Sequence, residues 1–149
     1  MSRNINRLGA DIRKLAANLK RIEQSELLTI IGVEAVRGAR RNFEVEGIIR
    51  NGSIDKWKPK KKNPRNKKTL TDRGNLKAAV RYWIANGTVT VGVDGQQIPY
   101  AQIHQTGGGI PRKNGSTTQM PQRKYLELTP DIVTAINRKV EQRLNRLKP

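Results

Sequence analysis

Arg81-Tyr82-Trp83-Ile84-Ala85-Asn86-Gly87-Thr88-Val89-Thr90-Val91-Gly92-Val93 is the stretch that decides the fold. Two runs rich in β-branched and aromatic residues flank Asn86-Gly87. Both turn positions tolerate positive φ, so the spacing predicts a β-hairpin with a two-residue turn. In the second run Val89, Val91 and Val93 fall on one face and are expected to point inward. Asp94-Gly95 ends the strand.

On either side of this hairpin the apolar period changes from two to between three and four. Upstream, Leu76, Ala79 and Val80 line one side of a short helix that opens near Asp72. Downstream, Pro99-Tyr100-Ala101-Gln102-Ile103-His104 reads as a helical turn with proline near its start, and Gly107-Gly108-Gly109 breaks it. Residues 120–126 are expected to return as a strand. Thr129-Pro130-Asp131 offers a capping hydroxyl followed by proline at the first helical position. Ile132, Ile136, Val140, Leu144 and Leu147 then supply the stripe of a final helix.

At the other end of the chain Leu8, Ile12, Leu15, Leu19 and Ile22 trace an amphipathic helix over residues 4–22. Ser25 is expected to cap a second helix over about 26–44, with Leu27, Ile30, Ile31, Ala35 and Gly38 facing inward. Gly32 and Gly38 each cost a helix about 1 kcal/mol relative to alanine, which points to close packing against a neighbour. Phe43 is expected to anchor the end of this helix to the core. The fold class is therefore α/β in the broad sense, of the α+β kind. A small antiparallel sheet built on the hairpin packs against long N- and C-terminal helices, in one domain over 1–149. A flexible basic loop at about 47–71 and a second flexible loop at about 107–120 interrupt it.

Thirty Lys and Arg against twelve Asp and Glu give a net charge of +18. Ten of those surplus charges fall within residues 50–81, densest in Lys56-Trp57-Lys58-Pro59-Lys60-Lys61-Lys62-Asn63-Pro64-Arg65-Asn66-Lys67-Lys68. Like charges so closely spaced repel, so this loop should be extended. Its cations Lys56, Lys58, Lys60, Lys61, Lys62, Arg65, Lys67 and Lys68 are candidates for contact with DNA or with an acidic protein partner. Trp57 is expected to pin the base of the loop. No zinc-finger, helix-turn-helix or RNA-binding signature accompanies the charge, so sequence-specific readout is disfavoured.

The chain has no Cys and one His. That excludes disulfide scaffolds, thiolate zinc sites and cysteine nucleophiles. No apolar run is long enough to span a membrane, and since no apolar segment follows Arg3 and Arg7 a classical secretory signal is not expected. His104 has no nucleophile motif beside it, so its expected role is a structural hydrogen bond at a helix end. The carboxylates follow no metal-loop or paired-acid pattern. The glycine triplet lacks the Lys-Ser or Lys-Thr of a phosphate loop. No catalytic, cofactor or metal site is expected, and the chain is read as a non-enzyme.

Several blocks taken in order carry a resemblance. Phe43, Gly52 and Trp57-Lys58-Pro59 come first, then Leu70-Thr71-Asp72-Arg73-Gly74-Asn75-Leu76 and Val89-Thr90-Val91-Gly92. Pro99-Tyr100-Ala101-Gln102-Ile103-His104-Gln105-Thr106-Gly107 and Met120-Pro121-Gln122-Arg123-Lys124-Tyr125-Leu126 follow. Over roughly residues 30–130 this order resembles the tailed-phage virion morphogenesis family, which includes the Mu-like G protein and P2-like tail completion proteins. The family more often has Phe where this chain has Tyr125.

The resemblance implies a structural protein of the virion neck that passes through the host cytoplasm during assembly. It would complete or terminate the tail, or join it to the head connector, as a subunit of a hexameric or dodecameric ring. Its neighbours would be tail-tube or connector proteins, with packaged duplex DNA touched non-specifically. The alternative is a non-sequence-specific nucleic-acid-binding protein acting through the 56–68 loop. A lysis enzyme is a distant third reading. Trp57, Leu76, Tyr100, Ala101, His104, Gln105, Gly107, Pro121, Arg123 and Tyr125 would hold the fold or line a subunit seam.

Overall fold

The longest element is the helix α1 (Gln24–Val45). Its buried residues Gly32, Ala35, Val36, Ala39, Asn42 and Phe43 recur at helical spacing. The computed structural model describes residues 22–62, 66–71 and 74–147. The helix expected over residues 4–22 lies outside them apart from Ile22, as do Arg65 and Asp72. After α1 come β1 (Gly47–Arg50), β2 (Ser53–Lys56), α2 (Asn75–Ala79), β3 (Arg81–Ala85) and β4 (Thr88–Gly92). Then follow α3 (Ala101–Thr106), β5 (Gly108–Pro111), β6 (Thr117–Met120) and α4 (Pro130–Arg146). This is the α+β mixture that the sequence predicts.

The β3–β4 hairpin forms in the expected register, with Trp83 opposite Thr90 and Ala85 opposite Thr88. Asn86 and Gly87 adopt φ of 49° and 70°, as a two-residue turn between right-twisted strands requires. It is one of three hairpins, each a separate two-stranded antiparallel sheet. The β1–β2 hairpin uses the same chemistry at Asn51 and Gly52, with φ of 50° and 76°. The loop expected over 47–71 therefore begins as a hairpin, and β5–β6 occupies most of the second expected loop.

Two helix starts differ from expectation. Ser25 lies inside α1, where its carbonyl accepts a bond from Thr29 Oγ1 at 2.9 Å, and Glu23 holds the cap position. Thr129 does precede Pro130 at the start of α4, but its hydroxyl makes no capping bond. The neighbouring carboxylate is used instead: Asp131 accepts from the backbone amides of Asn51 and Gly52, the latter at 3.0 Å. This pair fixes the β1–β2 turn to the start of α4.

Phe43 sits at the centre of the main core with Val36, Ala39, Trp57, Leu76, Val80, Ala101 and Tyr125. Its ring meets Trp57 edge-on at 5.6 Å and Tyr125 at 5.4 Å. Tyr82, Val91 and Val93 of the hairpin pack onto this cluster. Leu27, Ile30 and Ile136 serve a second cluster around Ile22, Val140 and Leu144. The helical glycines mark close approaches, as expected. A Cβ at Gly32 would overlap the Tyr82 ring, and one at Gly38 would meet Ile132. Leu147, expected on the inner stripe of α4, is 38% exposed.

Candidate functional site

The residues that carry the resemblance converge where α3 meets the segment 120–126. Gly107 and Gly108, with φ of 70° and 130°, reverse the chain after α3. A Cβ at Gly107 would stand 2.8 Å from the Gln122 nitrogen, so glycine lets the two backbones pass. Gln105 then takes the place of a neighbouring strand. Its Oε1 accepts from the amides of Tyr125 at 2.9 Å and Leu126 at 3.1 Å, and its Nε2 donates to the Leu126 carbonyl at 2.7 Å. This is why residues 121–126 are not the expected strand. Side chains, Gln105 foremost, take most of the bonds that a neighbouring strand would make with residues 124–126, and only Met120 belongs to β6.

Tyr125 is buried, and its hydroxyl donates to the Ala101 carbonyl at 3.2 Å. Its own carbonyl accepts from Asn42 Nδ2 of α1 at 3.1 Å. Burial pushes the phenol pKa up, so it remains a neutral donor. Arg123 is also buried, and its guanidinium donates to the carbonyls of Lys58 at 2.8 Å and Pro59 at 3.2 Å. Its third neighbour is Met120 Sδ at 3.7 Å. Alongside, Trp57 Nε1 donates to the Lys124 carbonyl at 2.8 Å. The base of the basic loop is thus zipped to residues 123–124. Pro121 lies half-buried beside this seam, and Leu76 of α2 is buried in the core next to it.

His104 departs from its expected role. Its carbonyl accepts the Arg123 amide at 2.8 Å, so the hydrogen bond is made by backbone. Nδ1 of the ring is buried without a partner. The ring stands edge-on to Tyr100 at 5.9 Å. Burial, with a smaller contribution from the Arg123 charge, holds its pKa below the ordinary value.

The loop cations divide into two groups. Lys56 Nζ donates to the Val45 carbonyl at 2.6 Å, and Lys68 Nζ to the Glu44 carbonyl at 2.8 Å. Lys77 pairs with the Glu44 carboxylate at 3.0 Å, which lowers the pKa of that acid. The last turn of α1 has no basic residue of its own. Lysines distant in sequence therefore complement the negative end of the helix and its orphan carbonyls. Lys58, Lys61 and Lys62 are exposed, while Lys60 and Lys67 are half-buried. Glu46 accepts the Thr69 amide at 2.6 Å and closes the loop, and that bond lowers its pKa.

Three architectural contacts have no counterpart in the sequence pattern. Asp131 holds the β1–β2 turn. Arg50 bridges Glu127 at 2.7 Å and Asp55 at 2.8 Å, which holds the Glu127 carboxyl below its usual range. Arg40 reaches the Val80 carbonyl at 3.0 Å. Only the hairpin signal at Asn51-Gly52 could have pointed to the first of these. Among the described residues, no group of three or more acids and histidine is placed to hold a metal ion. Nor is any helix among them long and apolar enough to cross a membrane.

The geometry therefore defines a small α+β protein whose singled-out polar side chains serve mainly to bind segments of the chain to one another. A model of the phage virion morphogenesis family matches residues 4–145, and the chain belongs to that family. Comparison with curated proteins and with solved structures finds no match.

Proposed function

We propose that this chain is a structural ring subunit of a tailed-phage particle, one that completes the tail or joins it to the head connector. The observation that carries the reading is the family match over residues 4–145. The architecture supports it. Gln105, Arg123, Tyr125 and Trp57 lock distant segments together, a use of polar groups that suits a rigid building block. A ring of six copies is the first expectation, with twelve as the alternative. Its neighbours are tail-tube or connector proteins. No reaction is assigned to it.

The exposed Lys58, Lys61 and Lys62 favour a second activity within the same role, contact with packaged DNA without sequence readout. The 56–68 loop then points toward the lumen or toward an acidic neighbouring ring. Sedimentation of the purified chain, with and without duplex DNA over a salt series, separates the readings. A discrete ring formed without DNA supports the subunit. A monomer or dimer that binds duplex tightly supports a free-standing nucleic-acid-binding protein instead.

A further inference from the structure

Between the base of the basic loop, α2 and α3 lies a cavity of about 540 Å³. Lys60, Leu76, Tyr100, His104, Met120 and Arg123 contribute to its wall, so four residues singled out by the resemblance meet there. No Asp or Glu is among its described lining residues. The Arg123 guanidinium is buried against neutral acceptors only: two carbonyls and a thioether. A cation withdrawn from water in this way is incompletely compensated. Lys60 adds a second positive charge at the wall.

The His104 ring contributes direction. Nδ1 is enclosed and unpartnered, so Nε2 is the ring nitrogen left to serve a ligand in the cavity that His104 lines. Tyr100, 44% exposed, stands at the rim with its ring against the imidazole. Two cations, an imidazole and apolar walls form a pocket with a defined complement.

We infer that this cavity receives the carboxylate of an Asp or Glu side chain from a different, acidic protein of the particle. Lys60 and Arg123 supply the attraction, and the imidazole N–H at Nε2 fixes the orientation. A second copy of this chain is a poor donor. Eight of its ten described carboxylates, at Glu26, Glu34, Glu44, Glu46, Asp55, Asp94, Glu127 and Asp131, are already engaged within the chain, which leaves only the exposed Glu23 and Glu141 to offer. A phosphodiester backbone fits poorly too, because Leu70, Leu76 and Met120 line a concavity rather than a continuous track. The inference rests on the reading of the chain as a component of a particle, but it does not depend on ring formation.

His104 is the only histidine, so its ring Cε1–H signal in NMR needs no assignment by mutation. The probe is N-acetyl-glutamate methylamide, with sodium chloride at matched ionic strength and a duplex oligonucleotide as controls. A saturable shift with the glutamate probe is expected, together with a rise in the imidazole pKa, because a bound anion favours the charged ring. Lys60→Gln, at a half-buried loop position, should weaken the probe on the order of 2- to 5-fold while leaving the amide spectrum in place. A shift no larger than that given by chloride overturns the inference. So does equal affinity in Lys60→Gln, or a response to duplex alone. Sedimentation of the same samples keeps the two proposals apart: loss of the ring with glutamate binding intact overturns only the ring reading.

Discussion

One amide, that of Gln105, holds three backbone groups of residues 125 and 126, and so it sets the path of the chain from α3 to α4. Gln105→Ala leaves two amides and a carbonyl without partners in a half-buried site. Its expected cost is about 2–4 kcal/mol, read as a lower urea midpoint. A change below about 0.5 kcal/mol would show that water replaces the side chain. His104 makes a pH-dependent contribution whose sign is fixed. Its folded pKa lies below 6.5, so on acidification the unfolded chain takes up the proton first. Stability is therefore full above pH 6.5 and declines as pH falls from there through the folded value. Glu46 and Glu127, both lowered from 4.5, add a second decline below that pH. Urea midpoints across this range should drop in both steps, and His104→Phe should abolish the first and keep the second. A wild-type midpoint unchanged between about pH 7.5 and 5.5 would contradict the assignment.

At the scale of elements, α1 meets the β3–β4 hairpin where Gly32 faces Tyr82. Helix propensity alone would make Gly32→Ala stabilising by about 1 kcal/mol. The overlap with the Tyr82 ring reverses the sign, with an expected cost of about 1–3 kcal/mol by thermal or urea unfolding. Tyr82→Leu in the same chain should recover part of that loss, and an unperturbed Gly32→Ala would refute the packing. The β3–β4 hairpin, α4 and the extent of α1 were legible because each is written in local pattern: Asn86-Gly87 between alternating runs, and apolar residues every three or four positions. The β1–β2 hairpin carries the same turn signal at Asn51-Gly52, but its strands have four residues each and little alternation. Residues 120–126 look like a strand because Tyr125 and Leu126 are β-prone. Their partner is a side chain 20 residues away, at Gln105, which no local pattern reveals. Trp57 was legible as the pin of the loop base and the loop cations as a charge run, whereas Tyr100, Gln105, Pro121, Arg123 and Tyr125 were legible only as a resemblance. That Arg123 binds the backbone of residues 58 and 59 follows from tertiary structure alone.

For the whole molecule, the charge of +18 is concentrated in the 50–81 segment, and most described acids elsewhere are already paired within the chain. Copies of such a subunit repel at low ionic strength, so ring closure should be favoured as salt is raised toward physiological levels. Contact with DNA should show the opposite salt dependence. Replacing Lys58, Lys61 and Lys62 by Gln is expected to lower the slope of log affinity against log salt by about one for each phosphate no longer neutralised. An unchanged slope would place the loop away from DNA. Lys56 and Lys68, which bind the end of α1, belong instead to stability. The most direct test of a joining subunit is a cryo-electron microscopy map of the neck of the intact particle. A closed ring of this chain at the head-proximal end of the tail, with an acidic side chain of a neighbouring protein in the His104 cavity, is the expected result. A neck that contains no copy of the chain would contradict it.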